Sequence, residues 1–134
     1  MRMISWVNDK LKYYNYSDST GASNLKSSDG TKFHWEEIIS QYPQAENFYK
    51  AHAPCIEAIK SSGVKYVIFC PGYMKSVGYK SVPSPKITID RPAGGFVSYE
   101  DAAQVMIKAA EVTDYDNELI GSATDINQKQ SSEL

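Results

Sequence analysis

Proton transfer near neutral pH is above all histidine chemistry, and this chain holds two histidines, His34 and His52. His52 is the catalytic candidate, as donor or acceptor of a proton. The plainer alternative is a core or interface histidine with a satisfied ring. Tyr49 is the second candidate, because a phenol can hydrogen-bond a ribose or a substrate; a half-buried helix tyrosine is the commoner case. Pro71, Gly72 and Tyr73 are binding candidates where they follow an apolar run, either lining a pocket or simply turning the chain. His34 with Glu36 and Glu37 suggests metal ligation, but the spacing does not put three ligands on one face, so a solvated helix end is expected. Cys55 and Cys70 lie in apolar surroundings, and neither has a second ligand at metal-binding spacing. Two buried thiols and no metal site are therefore expected. No G-x-G-x-x-G phrase occurs, and Gly94-Gly95 stands isolated.

These residues need elements to position them. Arg2 to Val7 reads as a short strand. Lys10 to Lys32, rich in Ser, Asn, Asp, Gly and Tyr, reads as a long polar loop. His34 to Gln41 suits a short helix ending near Pro43. From Gln44 to Ser62, Phe48, His52, Cys55 and Ile59 recur at helical steps, which predicts one buried helix face. Gly63 supplies the stop. Pro54 lies inside this helix and predicts a kink or break near Ala53. Val64 to Cys70 is β-branched, aromatic and almost continuously apolar, the pattern of a central strand buried on both faces. Tyr73 to Pro85 reads as a loop, Lys86 to Asp90 as a strand and Arg91 to Gly95 as a turn. Ser98 and Asp101 form an S-x-x-D capping box rather than a chemical pair. The helix they open buries Ala102, Val105, Met106 and Ala109. Glu118 to Ala123 is a last short strand, followed by a polar tail expected to fray.

This order is an α/β pattern. It places the Pro71-Gly72 turn at the carboxyl end of a sheet, where ligands bind in open α/β folds. The length of 134 residues suits one domain, with 42% hydrophobic residues to build a core. With 14 basic against 16 acidic residues, the charge balance offers no footprint for nucleic acid and no polybasic membrane patch. No apolar run approaches the ~20 residues of a spanning helix. The first residues, Met1-Arg2-Met3-Ile4-Ser5-Trp6, do not resemble a signal peptide, so a cytoplasmic location is expected.

The run Tyr49 to Tyr73, Y-K-A-H-A-P-C-I-E-A-I-K-S-S-G-V-K-Y-V-I-F-C-P-G-Y, resembles the helix-strand unit of atypical short-chain dehydrogenases. These include the NmrA-like proteins and the biliverdin/flavin reductases. Ser62-Gly63 and Cys70-Pro71-Gly72 take the places of the family's helix-ending phrase and Pro-rich turn. Thr88-Ile89-Asp90 looks like its next strand, and Val97-Ser98-Tyr99-Glu100-Asp101-Ala102-Ala103 like its next helix start. The likeness covers about residues 43 to 123 and is strongest toward the biliverdin/flavin reductases, through Ser62 to Val67 and through His52.

The resemblance implies a partial Rossmann-type fold, doubly wound around a mostly parallel sheet. It also implies an NADP or NAD cofactor, with the loop after Cys70 beside the nicotinamide. The departures are specific. The family's glycine-rich turn near its amino terminus holds the pyrophosphate, and the sequence begins near the family's fourth or fifth strand, so the nucleotide-binding half is expected to be missing. In the Tyr-x-x-x-Lys pattern Tyr49 is present, but Ala53 takes the lysine place. Cys70 replaces the arginine common before Pro-Gly. Asn8 and Asp9 fall near the family's catalytic-serine region only loosely.

The expected organisation is 1–42 as a weakly specified strand and long loop, 43–123 as the carboxyl-terminal half of a Rossmann-like domain, and 124–134 as a tail. The expected function is that of an NAD(P)H-dependent, flavin/biliverdin-reductase-like fragment or remnant acting on a small aromatic acceptor. The alternative is a non-catalytic interaction protein. Half of a doubly wound sheet also predicts self-association or a missing partner segment, with Val64 to Cys70 near the exposed edge.

Overall fold

The computed structural model describes residues 2–6 (as backbone), 21–76 and 85–124. Four strands form the main sheet: β1 (Arg2–Trp6), β2 (Lys65–Phe69), β4 (Lys86–Ile89) and β6 (Glu118–Ala123), in the order β1-β2-β6-β4. β1, β2 and β6 run parallel, and β4 returns antiparallel to β6. A small second sheet pairs β3 (Tyr73–Lys75) with β5 (Phe96–Ser98) in parallel. The helices are α1 (His34–Ile38), α2 (Ala45–Ser61) and α3 (Tyr99–Glu111).

β2 explains why Val64 to Cys70 is apolar without alternation. Val67 and Phe69 pack on one face with Val97, Ala102, Val105, Ala109 and Ile120. Ile68 and Cys70 pack on the other with Ala22, Leu25, Ile56 and Leu119. Both pleat faces are covered, α3 lying on the first side and α2 on the second, so each successive side chain must be apolar. β2 is also bonded on both edges, Ile4 standing opposite Val67 in β1 and Leu119 opposite Ile68 in β6. This agrees with a central strand, and β2 lies one strand in from the outer β1. Among the described residues the outer strands are β1 and β4.

α2 runs unbroken from Ala45 to Ser61 with Pro54 inside it, so the predicted break at Ala53 does not occur. Proline deletes one bond, the one to the Lys50 carbonyl, and both residues are exposed, so water can take its place. The buried face also lies one residue away from the predicted one. Ala45 and Ile56 are buried, Phe48, His52 and Ile59 are half-buried, and Cys55 is exposed. Ile56, four residues after His52, follows the 3.6-residue turn more closely along this wall than Cys55. Only Cys70 is therefore a buried thiol. Ser62 and Gly63 end the helix as predicted, Gly63 with φ +80°, a conformation that favours glycine.

The polar segment before α1 enters the core at its 21–27 stretch, while Ser28, Asp29, Thr31 and Lys32 are exposed as the expected loop. Gly21–Asn24 forms a 3-10 turn, and Ala22, Ser23, Asn24, Leu25 and Ser27 are buried. Its backbone bonds the rest of the fold directly: Ala22 N–H donates to the Pro71 carbonyl at 3.0 Å, and Lys26 N–H to the Asp90 carbonyl at 3.1 Å. Such pairing lets polar residues enter an interior. The loop expected from Tyr73 to Pro85 contains β3 instead at its start. Residues 10–20 and 77–84 of these loops, Asn8 and Asp9, and the tail after Thr124 lie outside the described residues. Thr124 itself is buried rather than frayed.

At the start of α3, Ser98 Oγ accepts from Asp101 N–H at 3.0 Å, the expected cap. The reciprocal half of the box is rerouted. Ser98 N–H donates to Thr124 Oγ1, which in turn donates to Asp101 Oδ2, each at 2.8 Å.

Candidate functional site

A cleft of about 420 Å³ lies beyond the carboxyl ends of the parallel strands β2 and β6. Gly72 and Tyr73, which follow β2, form one wall with Gly121 and Ser122 of β6. Residues 92–95 form another, and Ser28 and His34 a third. Gly121 is needed for this closure. A Cβ there would stand 2.8 Å from Thr88 Oγ1 and 3.2 Å from the Arg91 carbonyl oxygen, so any side chain would push away the turn that follows β4.

His34 enters this wall as the first residue of α1. Its N–H donates to the Leu25 carbonyl at 2.8 Å, tying the helix start to the buried 21–27 segment. Glu36 reaches back to accept from Phe33 N–H at 2.8 Å, which is the capping half of its role. Glu37, one turn along, lies 2.6 Å from His34 Nδ1 and also accepts from Ser28 N–H at 3.1 Å. Burial pushes the Glu37 carboxyl up, but the hydrogen bonds from His34 and Ser28 outweigh it and hold the group below its ordinary value. An ionised carboxylate only accepts, so Nδ1 carries the proton and Nε2 is the ring's basic nitrogen in the neutral form. No described residue hydrogen-bonds Nε2. An imidazole oriented by a carboxylate can hold or move a proton at a molecule in the cleft.

Of the sequence candidates, Gly72 and Tyr73 line this cleft. Pro71 is fully buried beside them and spends its carbonyl on Ala22. Tyr49 and His52 are on α2, away from it. The Tyr49 ring packs 4.7 Å from Phe33 and 5.8 Å from Trp35, centroid to centroid, and lines a separate cavity of about 190 Å³. His52 is half-buried and lines neither cavity. His34 is the residue that sequence reasoning passed over. Its signal was the three-residue spacing to Glu37, which was weighed only as metal ligation. Among the described residues no three His, Cys, Asp or Glu side chains are grouped to hold a metal ion.

The sequence matches no protein-family model and no curated protein. Among solved structures, it is similar to a candidate epimerase of Bacteroides thetaiotaomicron, at 17% identity and a TM-score of 0.51. The match covers 91% of this chain and 51% of that one. This chain has a partial Rossmann-like fold. It spans about half the length of the protein it matches. Among the described residues no helix is long and apolar enough to cross a membrane.

A dinucleotide asks for two things of such a fold: a pocket for its nicotinamide and an open helix N-terminus for its pyrophosphate. The cleft falls within the ~300–1,000 Å³ range of small-molecule sites. The helix ends do not fit. The first turns of α1, α2 and α3 already carry Glu36 and Glu37, Glu46, and Glu100 and Asp101 respectively. Acidic side chains there compete with a bound anion. The described helix starts therefore do not favour a diphosphate.

Proposed function

We propose that this chain is the acceptor side of an NAD(P)H-dependent, reductase-like Rossmann protein, receiving a small flavin- or tetrapyrrole-like aromatic in the cleft beyond β2 and β6. The observation that carries this reading is His34, held by Glu37 through Nδ1, with no described partner at Nε2, in the wall of the cleft that Gly72 and Tyr73 also line. In this reading the nicotinamide supplies the hydride, and the chain's own residues orient the acceptor and hold the proton. Titration of labelled protein with a flavin tests the idea. Saturable shifts at Gly72, Tyr73 and Gly121 are expected, together with binding of NADPH no tighter than that of nicotinamide alone. Flavin shifts confined to other surfaces, or micromolar NADPH affinity for this chain, would overturn it.

A non-catalytic interaction protein is the second reading, and one observation favours it. β1 pairs along all five of its residues with β2, and among the described residues it is an outer strand. Outer strands invite pairing. In this reading a second copy of the chain adds to that edge, giving a symmetric dimer. Light scattering over a concentration series should show a monomer–dimer equilibrium. A monomer at every concentration removes this reading.

A further inference from the structure

We infer that Asp29 is a positioning residue for the cleft beyond β2 and β6: it shapes the 27–32 loop so that Ser28 holds Glu37, and Glu37 keeps the proton of neutral His34 on Nδ1. The inference rests on the reading of His34 as the proton-handling group of that cleft. It extends the site to an exposed carboxylate that is not part of the cleft lining.

The loop is closed at its base by the antiparallel bridge between Lys26 and Phe33. Ser27 N–H donates to the Lys32 carbonyl at 2.7 Å just above it. At the tip, three donors converge on one oxygen. Asp29 Oδ1 accepts from the Ser27 hydroxyl at 2.7 Å, from Thr31 N–H at 3.0 Å and from the Thr31 hydroxyl at 2.7 Å. An ionised carboxylate only accepts, so it can gather several donors at once. Gly30, with φ +78°, makes the turn, and a side chain there would meet the Arg91 guanidinium. Ser28 therefore sits between two residues, Ser27 and Asp29, that are bonded to each other.

Ser28 is thereby presented to α1. Its N–H donates to Glu37 Oε1 at 3.1 Å and lies 3.3 Å from Oε2, and its hydroxyl donates to Oε1 at 3.3 Å. The same Oε1 lies 2.6 Å from His34 Nδ1. Which imidazole nitrogen carries the proton is set by the bonds the ring makes. A Glu37 side chain released by Ser28 can rotate away, and the neutral ring can then place its proton on either nitrogen. The nearer Ser28 donor is a backbone N–H, so its direction is fixed by the loop, and the loop by Asp29.

The test is nitrogen NMR of the labelled full chain, read at a pH where His34 is neutral. In the wild type Nδ1 should carry the proton and Nε2 should not. Asp29→Ala should mix the two tautomers, while the amides of β2 stay slow to exchange and show that the fold is kept. Asp29→Asn retains an acceptor oxygen and should keep the wild-type tautomer, a rescue that a change in stability alone does not give. Thr31→Val removes one of the three bonds, so intermediate mixing is expected, and it remains readable if the alanine variant does not fold. An unchanged tautomer in Asp29→Ala, or in Thr31→Val should the alanine chain unfold, overturns the proposal. So does mixing in Asp29→Asn as large as in Asp29→Ala, or a wild-type proton on Nε2. The measurement needs no ligand: a flavin that fails to bind counts against the acceptor reading, and a tautomer that ignores Asp29 counts against the positioning role alone.

Discussion

Thr124 Oγ1 donates to Asp101 Oδ2 across 2.8 Å, with both residues buried. The same hydroxyl accepts from Ser98 N–H, so one threonine at the end of β6 fastens both the cap and the first turn of α3. Thr124→Val keeps the shape but strands the Ser98 donor and takes a donor from a buried carboxylate. It should cost ~1–3 kcal/mol, whereas Thr124→Ser should cost much less. Urea unfolding measures both. Equal stability of the valine variant and the wild type would show that the hydroxyl is not a fastener.

Pro54 offers a gain. It sits exposed in the middle of an unbroken α2, where proline is ~3 kcal/mol worse than alanine. Part of that difference is returned through the restricted unfolded chain. Pro54→Ala should raise stability by ~1–3 kcal/mol, read as a higher melting temperature. A lower one would mean that the proline geometry is required by the packing of α2.

The two thiols should separate cleanly. Cys70 is buried, and its thiol is pushed far up by burial, with the Asp90 charge adding to the effect. Cys55 is exposed. A thiolate-specific reagent at neutral pH should label Cys55 in the native protein and reach Cys70 only after unfolding. Native labelling of both at similar rates would contradict the packing of Cys70 against α2.

Acid should weaken the region that positions His34. Glu37 is held below its ordinary value, burial being outweighed by bonds from His34 and Ser28. Asp29 is held far below its own by the Thr31 N–H and by the Ser27 and Thr31 hydroxyls. With folded-state values depressed, the folded protein binds fewer protons than the unfolded chain. The stability from these groups is then present above the ordinary carboxylate range near ~4 and lost as pH falls through the lower folded values. Urea midpoints across this window should fall with acid, and Glu37→Gln should flatten the slope. An unchanged slope would show that Glu37 is not part of the acid response.

β2 should be the slowest-exchanging part of the molecule, because it is bonded on both edges and covered on both faces. The amides of Val67 and Ile68 should exchange only by global unfolding. Rapid exchange there would remove β2 from the centre of the sheet.

The sequence by itself determined the elements whose signals are local. Continuous apolarity marked β2, the Ser98–Asp101 spacing marked the start of α3, Gly63 marked the end of α2, and Glu118 to Ala123 was delimited as a strand at both ends. Each reflects a preference acting over a few residues. Long-range geometry was left to the tertiary structure. Whether Ser23, Asn24 and Ser27 are exposed depends on backbone partners such as Pro71 and Asp90, far along the chain, which no local pattern reveals. Whether Cys55 or Ile56 faces inward depends on how α2 is rotated against the 21–27 segment. The site shows the same division. Gly72 and Tyr73 were legible because ligands gather at carboxyl ends of parallel strands. His34 was not, because its meaning comes from the approach of α1 to the ends of β2 and β6, decided when Leu25 enters the core and draws the start of α1 with it.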